Sequence, residues 1–516
     1  METLPQTTEV SLTAEEIQRA AKTLEALVQD RALLAQVPEE IRIALMSAAG
    51  RVSRPTRLES VKLSRKLNAQ NKQALAAKDR EARATTIIRK TRKADVFLPP
   101  QESPINPHSQ EERELKKPRF CYVCKTEFRR LHFFYDSMCP SCAELNYSKR
   151  RQTASLNGRI ALITGARIKI GYQAALMLLR AGATVIVTTR FPKDAADRYR
   201  KETDFSSWSD RLQIHGLDLR HSPSVEIFAR YLSQAISRLD ILINNAAQTV
   251  RRPPEFYAHL LRRETEPATP EIQSLLKNHH SCLELLSHTA VSDFKQGALL
   301  KEMTHWSDGG NTGIGLRQSA QLSQLKYSYD DADIPPEVFP AGKTDADLQQ
   351  VDLRAKNSWR LTLAEVSSAE MIELQLINSV APFILCAQLK PLMLRDRTDE
   401  KHIVNVSAME GSFSRGTKTD KHPHTNMAKA ALNMMTLTSA RDYVKGGIFM
   451  NAVDTGWVTD EDPALHATRK KEELDFQPPL DIIDGAARVC DPIFSGLLSG
   501  THAWGNFFKD YKPTAW

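Results

Sequence analysis

The 516-residue sequence lacks any stretch approaching the roughly 18 uninterrupted apolar residues that a membrane span needs. Its first residues, METLPQTTEV, also lack the basic start and apolar run of a secretory signal. No membrane association is expected, and a cytoplasmic location, with a nuclear one open, follows. Cysteine is sparse: seven residues are an odd number for a disulfide framework, and four of them stand in two CxxC pairs. That usage favours a metal site in a reducing compartment. Cys282, Cys386 and Cys490 are scattered and read as small buried apolar side chains.

Acidic residues are scarce in one segment. Residues 51–93 carry 14 Lys/Arg against Glu59, Asp79 and Glu81, a net +11, so the rest of the chain holds −3 of the total of +8. This arm is expected to be helical. It is either a solvated linker or a binding segment for a protein or nucleic-acid partner. Before it, residues 1–50 read as a helical hairpin. Thr13 and Glu16 make a capping-box pattern, Ile17, Ala20, Leu24, Leu27 and Val28 recur at helical spacing, and Pro38 opens a second helix that Gly50 is expected to end. The arm and the proline-bearing linker after it fill residues 51–117.

Residues 118–150 contain Cys121, Cys124, Cys139 and Cys142, two CxxC knuckles with 14 residues between them. Each knuckle turns two thiolates toward one ion, and four thiolates at about 2.3 Å close a tetrahedral zinc shell with no position left for water. A structural zinc ribbon is expected. His132, between the pairs, reads as a loop or core histidine.

Residues 151–516 alternate strand and helix, the pattern of a doubly wound parallel α/β sheet. An insertion at about residues 251–356 interrupts the order. It is a candidate lid or interaction subdomain, and its acidic end is a candidate to dock on the basic arm. The first strand-to-helix turn is TGARIKIG, containing Gly165, Arg167, Lys169, Ile170 and Gly171. A glycine-bearing turn there lets backbone approach a pyrophosphate at a helix N-terminus. Asp218 follows the third strand, and Asn244-Asn245-Ala246-Ala247 the fourth.

Together with Asn378 before APF, a serine-bearing strand and a helix carrying Lys429, these motifs resemble the short-chain dehydrogenase/reductase family, from about Leu156 to the end apart from the insertion. The resemblance implies a Rossmann-type fold, a bound NAD or NADP, a small carbonyl or alcohol substrate, and commonly a homo-oligomer. Lys169 stands where the family has its middle glycine. Arg167, Lys169 and Arg190 put cations where a ribose 2′-phosphate would lie, and no acid directly follows the second strand to hold a free 2′-hydroxyl. NADP is therefore favoured over NAD. Thr455-Gly456 replaces the family's Pro-Gly turn beside the nicotinamide, with Val458 placed to meet the carboxamide.

The resemblance also implies an Asn–Ser–Tyr–Lys active site. Asn378, Ser407 and Lys429 match it, whereas Thr425 stands where the tyrosine belongs. A phenol of pKa about 10 can be tuned toward neutrality, but an aliphatic alcohol titrates several units higher and serves only as a hydrogen-bond donor. His424, His422 and Lys429 itself are the candidates to replace the acid. Three readings stay open: an oxidoreductase of unusual acid–base design, a catalytically inactive NADP-binding pseudoenzyme acting as sensor or scaffold, and a nucleic-acid-binding scaffold.

Overall fold

The computed structural model describes residues 12–94, 96, 113–291, 313–326 and 334–516. The contacts divide the chain into two compact units, residues 1–78 and 79–516. In the first, helix Ala14–Gln29 begins at the expected capping box, with the Glu16 N–H on Thr13 Oγ1 at 3.2 Å and the Thr13 N–H on the Glu16 carboxylate at 2.7 Å. Helix Glu39–Ser53 runs past Gly50, where the sequence pattern placed its end. The Gly50 carbonyl accepts both the Arg54 N–H and the Ser53 hydroxyl, and Pro55, which cannot continue a helix, supplies the stop. Neither helix buries a side chain. The basic segment is helical, as Arg57–Ala84 and Ile87–Thr91. Most of the linker falls at residues 97–112, outside the described residues.

The second unit contains a hairpin and a sheet. Strands β1 (Glu114–Phe120) and β2 (Glu127–Arg130) pair antiparallel around the first CxxC knuckle. The eight-stranded sheet is built from β3 (Ile160–Thr164), β4 (Thr184–Thr189), β5 (Leu212–Gly216), β6 (Ile241–Asn244), β7 (Lys401–Ser407), β8 (Ile448–Asp454), β9 (Phe507–Lys509) and β10 (Lys512–Thr514). Its order is β5-β4-β3-β6-β7-β8-β9-β10, parallel except for the last pair. The central strands β3, β4 and β6 are largely apolar because both faces of the sheet are covered. Ala161, Ile163, Val185 and Val187 point into one core with helices Lys169–Arg180 and Ile482–Ser499. Leu162, Ile186 and Leu242 point into the other, with helices Ser222–Ala235, Ala381–Leu394 and Pro423–Tyr443.

Strand order reverses between β3 and β6. Such a switch point opens a crevice at the carboxyl ends of the strands, where ligands bind in sheets of this kind. The insertion forms helices Ala258–Thr265 and Pro270–Val291 and short turns. Phe256, Tyr257, Leu260, Ala320 and Phe339 from it pack around Phe191, just beyond β4. Among the described residues one helical run, Ser368–Leu394, is long and apolar enough to cross a membrane by length and composition, and half of its apolar window is buried inside the protein.

Candidate functional site

At the switch point, the turn after β3 and the end of β6 are stitched together. Thr164 Oγ1 accepts the N–H groups of Asn245 and Ala246 at 3.1 and 3.0 Å. Asn245 Nδ2 donates to the carbonyls of Thr164 and Gly165, each at 3.0 Å. A Cβ on Gly171 would lie 2.3 Å from Asn245 Nδ2, so only glycine allows this approach. Lys169, at the middle-glycine position, has φ 54°, a left-handed value that costs a side-chain-bearing residue on the order of 1 kcal/mol. Ile170 packs on Gly485 of helix Ile482–Ser499.

The cations expected beside a 2′-phosphate are present, and each has a protein partner. Buried Arg167 pairs with Asp194 at 2.7 Å and donates to Gln349 Oε1 at 2.6 Å. Lys169 Nζ is 3.9 Å from Asp347. Arg190 donates to the Tyr257 hydroxyl at 2.8 Å, while its carbonyl accepts from Ser319. The Asp218 N–H goes to the Gly315 carbonyl at 2.8 Å. Burial would raise the Asp218 carboxyl, but the Arg220 guanidinium at 2.6 Å holds it below the usual carboxylate range. Gln349, Asp347, Tyr257, Ser319 and Gly315 all belong to the insertion. Its acidic end thus places Asp347 beside the glycine turn.

The catalytic candidates gather at the ends of β6 and β7. A π-helical turn, Leu376–Val380, carries Asn378, whose Oδ1 accepts the Gln248 N–H at 2.7 Å and whose Nδ2 donates to the Gln248 carbonyl at 2.9 Å. Helix Pro423–Tyr443 stacks Thr425, Lys429 and Asn433 one turn apart, all three buried. Lys429 Nζ donates to the Val406 carbonyl at 2.8 Å, and burial pushes its pKa down to about 8 against the nearby charge of Glu410. The Ser407 hydroxyl donates to Asn433 Oδ1 at 2.5 Å.

His424 is buried, with Nε2 3.3 Å from Glu370 Oε1. Burial raises the Glu370 carboxyl, but His424, Ser358 and Arg251 together hold it below its ordinary value. His422 is engaged elsewhere, stacked on Trp359 at 3.8 Å with its Nδ1 at the Trp359 carbonyl. Among the described residues, Thr425 Oγ1, Asn433 Nδ2 and Gln248 Nε2 are buried with no hydrogen-bond partner. Buried polar atoms are paired in the great majority of cases, so Thr425 and Asn433, one turn either side of Lys429, leave polar groups there for a ligand or water to meet. The sequence reading missed Gln248, Glu370 and Asn433. Only Asn433 had a local signal, its i+4 spacing from Lys429.

Beyond β8, Gly456 turns the chain at φ 75° and Val458 is buried. The four cysteine sulphurs lie within 4.8 Å of one another, with Cys124 and Cys139 at 3.7 Å. Tetrahedral bonds of ~2.3 Å put thiolates about 3.8 Å apart, so the set fits a zinc ion. His132 stands outside it, its Nδ1 accepting the Phe134 N–H at 3.1 Å.

Fold and site together define a doubly wound α/β protein with a crevice at the switch point of its sheet. Residues 159–263 match the family model described as short chain dehydrogenase, and residues 354–477 match that described as enoyl-(acyl carrier protein) reductase. The chain belongs to the short-chain dehydrogenase/reductase family. It is 29% identical over 402 residues to the uncharacterized protein R665 of Acanthamoeba polyphaga mimivirus, covering 76% of this chain and 74% of that protein. It is 33% identical over 91 residues to a (+)-neomenthol dehydrogenase of Capsicum annuum, and 34% over 94 residues to retinol dehydrogenase 13 of Mus musculus. These matches span 28% of each dehydrogenase and 17% and 18% of this chain. Among solved structures, the Pseudomonas aeruginosa RhlG/NADP active-site complex is similar at 18% identity and a TM-score of 0.40, over 69% of this chain and 95% of that one.

Proposed function

We propose that this chain is an NADP(H)-dependent oxidoreductase acting on a small carbonyl or alcohol compound, with Lys429 taking the proton-exchanging role that the family gives to tyrosine. The observation that supports this reading is the pair of buried polar atoms on Thr425 and Asn433, one turn either side of Lys429, that have no hydrogen-bond partner among the described residues. The dinucleotide supplies or takes the hydride. Lys429 holds its proton with a pKa of about 8, near the optimum for a general acid in neutral solution. Thr425, one turn before Lys429, orients a substrate oxygen through its unpaired hydroxyl, and Asn378 keeps the π-helical turn on Gln248. His424, paired with Glu370, is the second group able to carry a proton.

The preference for the phosphorylated dinucleotide rests on Arg167, Lys169 and Arg190 around the ends of β3 and β4, and on the lack of an acid directly after β4. A zinc ion held by Cys121, Cys124, Cys139 and Cys142 completes the cofactor set. The test is NADPH oxidation with a panel of small aldehydes and ketones, comparing the natural chain with Lys429→Ala. A Lys429→Ala variant turning over at full rate would remove Lys429 from the mechanism.

One observation favours a second reading, a catalytically inactive NADP-binding pseudoenzyme that acts as sensor or scaffold through the zinc ribbon and basic arm. Insertion residues engage Arg167, Arg190 and the Asp218 amide, the positions expected to meet the adenosine half of the dinucleotide. In that case the basic segment 51–93 supplies the productive contacts to a partner. NADPH binding with no hydride transfer to any acceptor in the panel would select this reading.

A further inference from the structure

Residues 456–484 leave β8 at the Gly456 turn and return to the fold in the first turn of helix Ile482–Ser499. The cysteine-bearing module grips this segment at both ends. At the first end Tyr122, between Cys121 and Cys124, accepts the Trp457 N–H at 2.9 Å. A Cβ on Gly456 would lie 3.2 Å from the Tyr122 hydroxyl, so the ring is seated directly on the turn. Arg92 donates to the carbonyls of Val458 and Leu480, tying the two ends to each other.

At the second end the Tyr135 hydroxyl donates to Asp484 at 2.5 Å, and Arg150 bridges Asp481 and Asp484 at 2.6 and 2.8 Å. Asn146 accepts from Arg488 at 2.6 Å. These groups are not loosely placed surface ions: the side chains of Arg150, Asp481 and Asp484 are 6%, 3% and 0% exposed. Val458, Leu480 and Ile482 complete one apolar cluster with Phe134, Tyr135, Met138, Cys121 and Cys139. Tyr122 and Tyr135 therefore lie between cysteines in the sequence, and Asn146 and Arg150 share helix Pro140–Arg150 with Cys142. A metal ion closing the knuckle Cys121–Cys124 fixes the two-residue span in which Tyr122 sits.

We propose that Tyr122 is a positioning residue for the nicotinamide-facing turn, residues 455–458, and that metal binding by the four cysteines sets its position, so that losing the metal loosens the dinucleotide site. This rests on the reading above that the Gly456 turn faces the nicotinamide. The module then serves the site through Tyr122 without touching the reacting atoms. Such an arrangement makes dinucleotide affinity depend on metal occupancy, because the turn's Trp457 amide is held by a side chain that the metal loop positions.

The test uses the full-length, metal-loaded chain and Tyr122→Phe, which keeps the ring and removes one hydrogen bond. Zinc content by mass spectrometry is expected to stay at the natural value. Hydrogen exchange at the Trp457 amide should rise about fivefold, the range of one net hydrogen bond. NADPH should bind about fivefold more weakly, while 2′,5′-ADP, which carries only the adenosine half, binds unchanged. A general loss of folding would weaken both ligands, so the split separates positioning from destabilisation. In the natural chain, chelation should speed exchange across residues 455–484, and added zinc should restore it. A Tyr122→Phe variant with natural exchange at Trp457, or a chelated chain with residues 455–484 still protected, would overturn the proposal. Failure of the natural chain to bind NADPH would count against the functional reading instead, and the exchange measurement would still decide the brace.

Discussion

The Ser407 hydroxyl lies 2.5 Å from Asn433 Oδ1, so the serine expected to bind a substrate oxygen gives its one proton to the helix beside it. In this state it offers a ligand only lone pairs. Asn433→Ala leaves that buried hydroxyl without its acceptor, and the chain should lose about 1–2 kcal/mol of stability, read from the denaturant midpoint. An unchanged midpoint would mean that the bond contributes nothing to the fold.

Lys429 sets the pH dependence. Its pKa is about 8 in the folded chain, below the ordinary lysine value of about 10.4. The unfolded chain therefore binds more protons between those two values, and stability rises with pH through that window. Below about pH 8 the cost of burying the ammonium is borne in full. Carbonyl reduction needs the protonated amine, so its rate should fall as pH rises through about 8. Lys429→Met should remove both the activity and the stability gradient between pH 8 and 10. A variant retaining the gradient would assign it to another group.

Thr425 Oγ1 is buried and has no hydrogen-bond partner among the described residues. Thr425→Val keeps the shape and removes the unsatisfied hydroxyl, so the ligand-free chain should be as stable or up to about 1 kcal/mol more stable. Turnover should drop by tenfold or more, because the hydroxyl that orients the substrate oxygen is gone. A variant that loses stability would show that the hydroxyl has a partner in solution.

The turn of the insertion that carries Asp347 and Gln349 engages Arg167 and Lys169, the cations proposed to meet the dinucleotide's phosphate. Replacing Asp347 by Asn and Gln349 by Ala together should raise NADPH affinity by about fivefold, since Lys169 loses its counter-charge and Arg167, still paired with Asp194, loses a competing acceptor. Affinity unchanged by the double substitution would place the nucleotide elsewhere on the crevice.

Much of this architecture was legible in the sequence because its signals are local. The apolar strands, the Gly165 to Gly171 turn, the Asn244–Asn245 pair and the two CxxC knuckles each reside in a few consecutive residues, and the structure assembles them as a doubly wound sheet and a four-thiolate cluster. What escaped depends on distant contacts. Glu370 reaches His424, Gln349 reaches Arg167 and Tyr122 reaches Trp457 across 54, 182 and 335 positions. Nothing in the residues around either partner of such a pair announces the other. Gly50 shows the reverse error: a residue that often ends a helix lies inside one, because Pro55 was the stronger stop.

Titration of the purified chain with NADPH, followed by nicotinamide fluorescence and compared with NADH, decides whether the crevice between β3 and β6 is a working dinucleotide site. Saturable binding that prefers NADPH by tenfold or more, and that weakens when Arg167 is replaced by alanine, is the expected result. No saturation with either nucleotide, from the natural chain and from the Asp347→Asn, Gln349→Ala double variant alike, would contradict it.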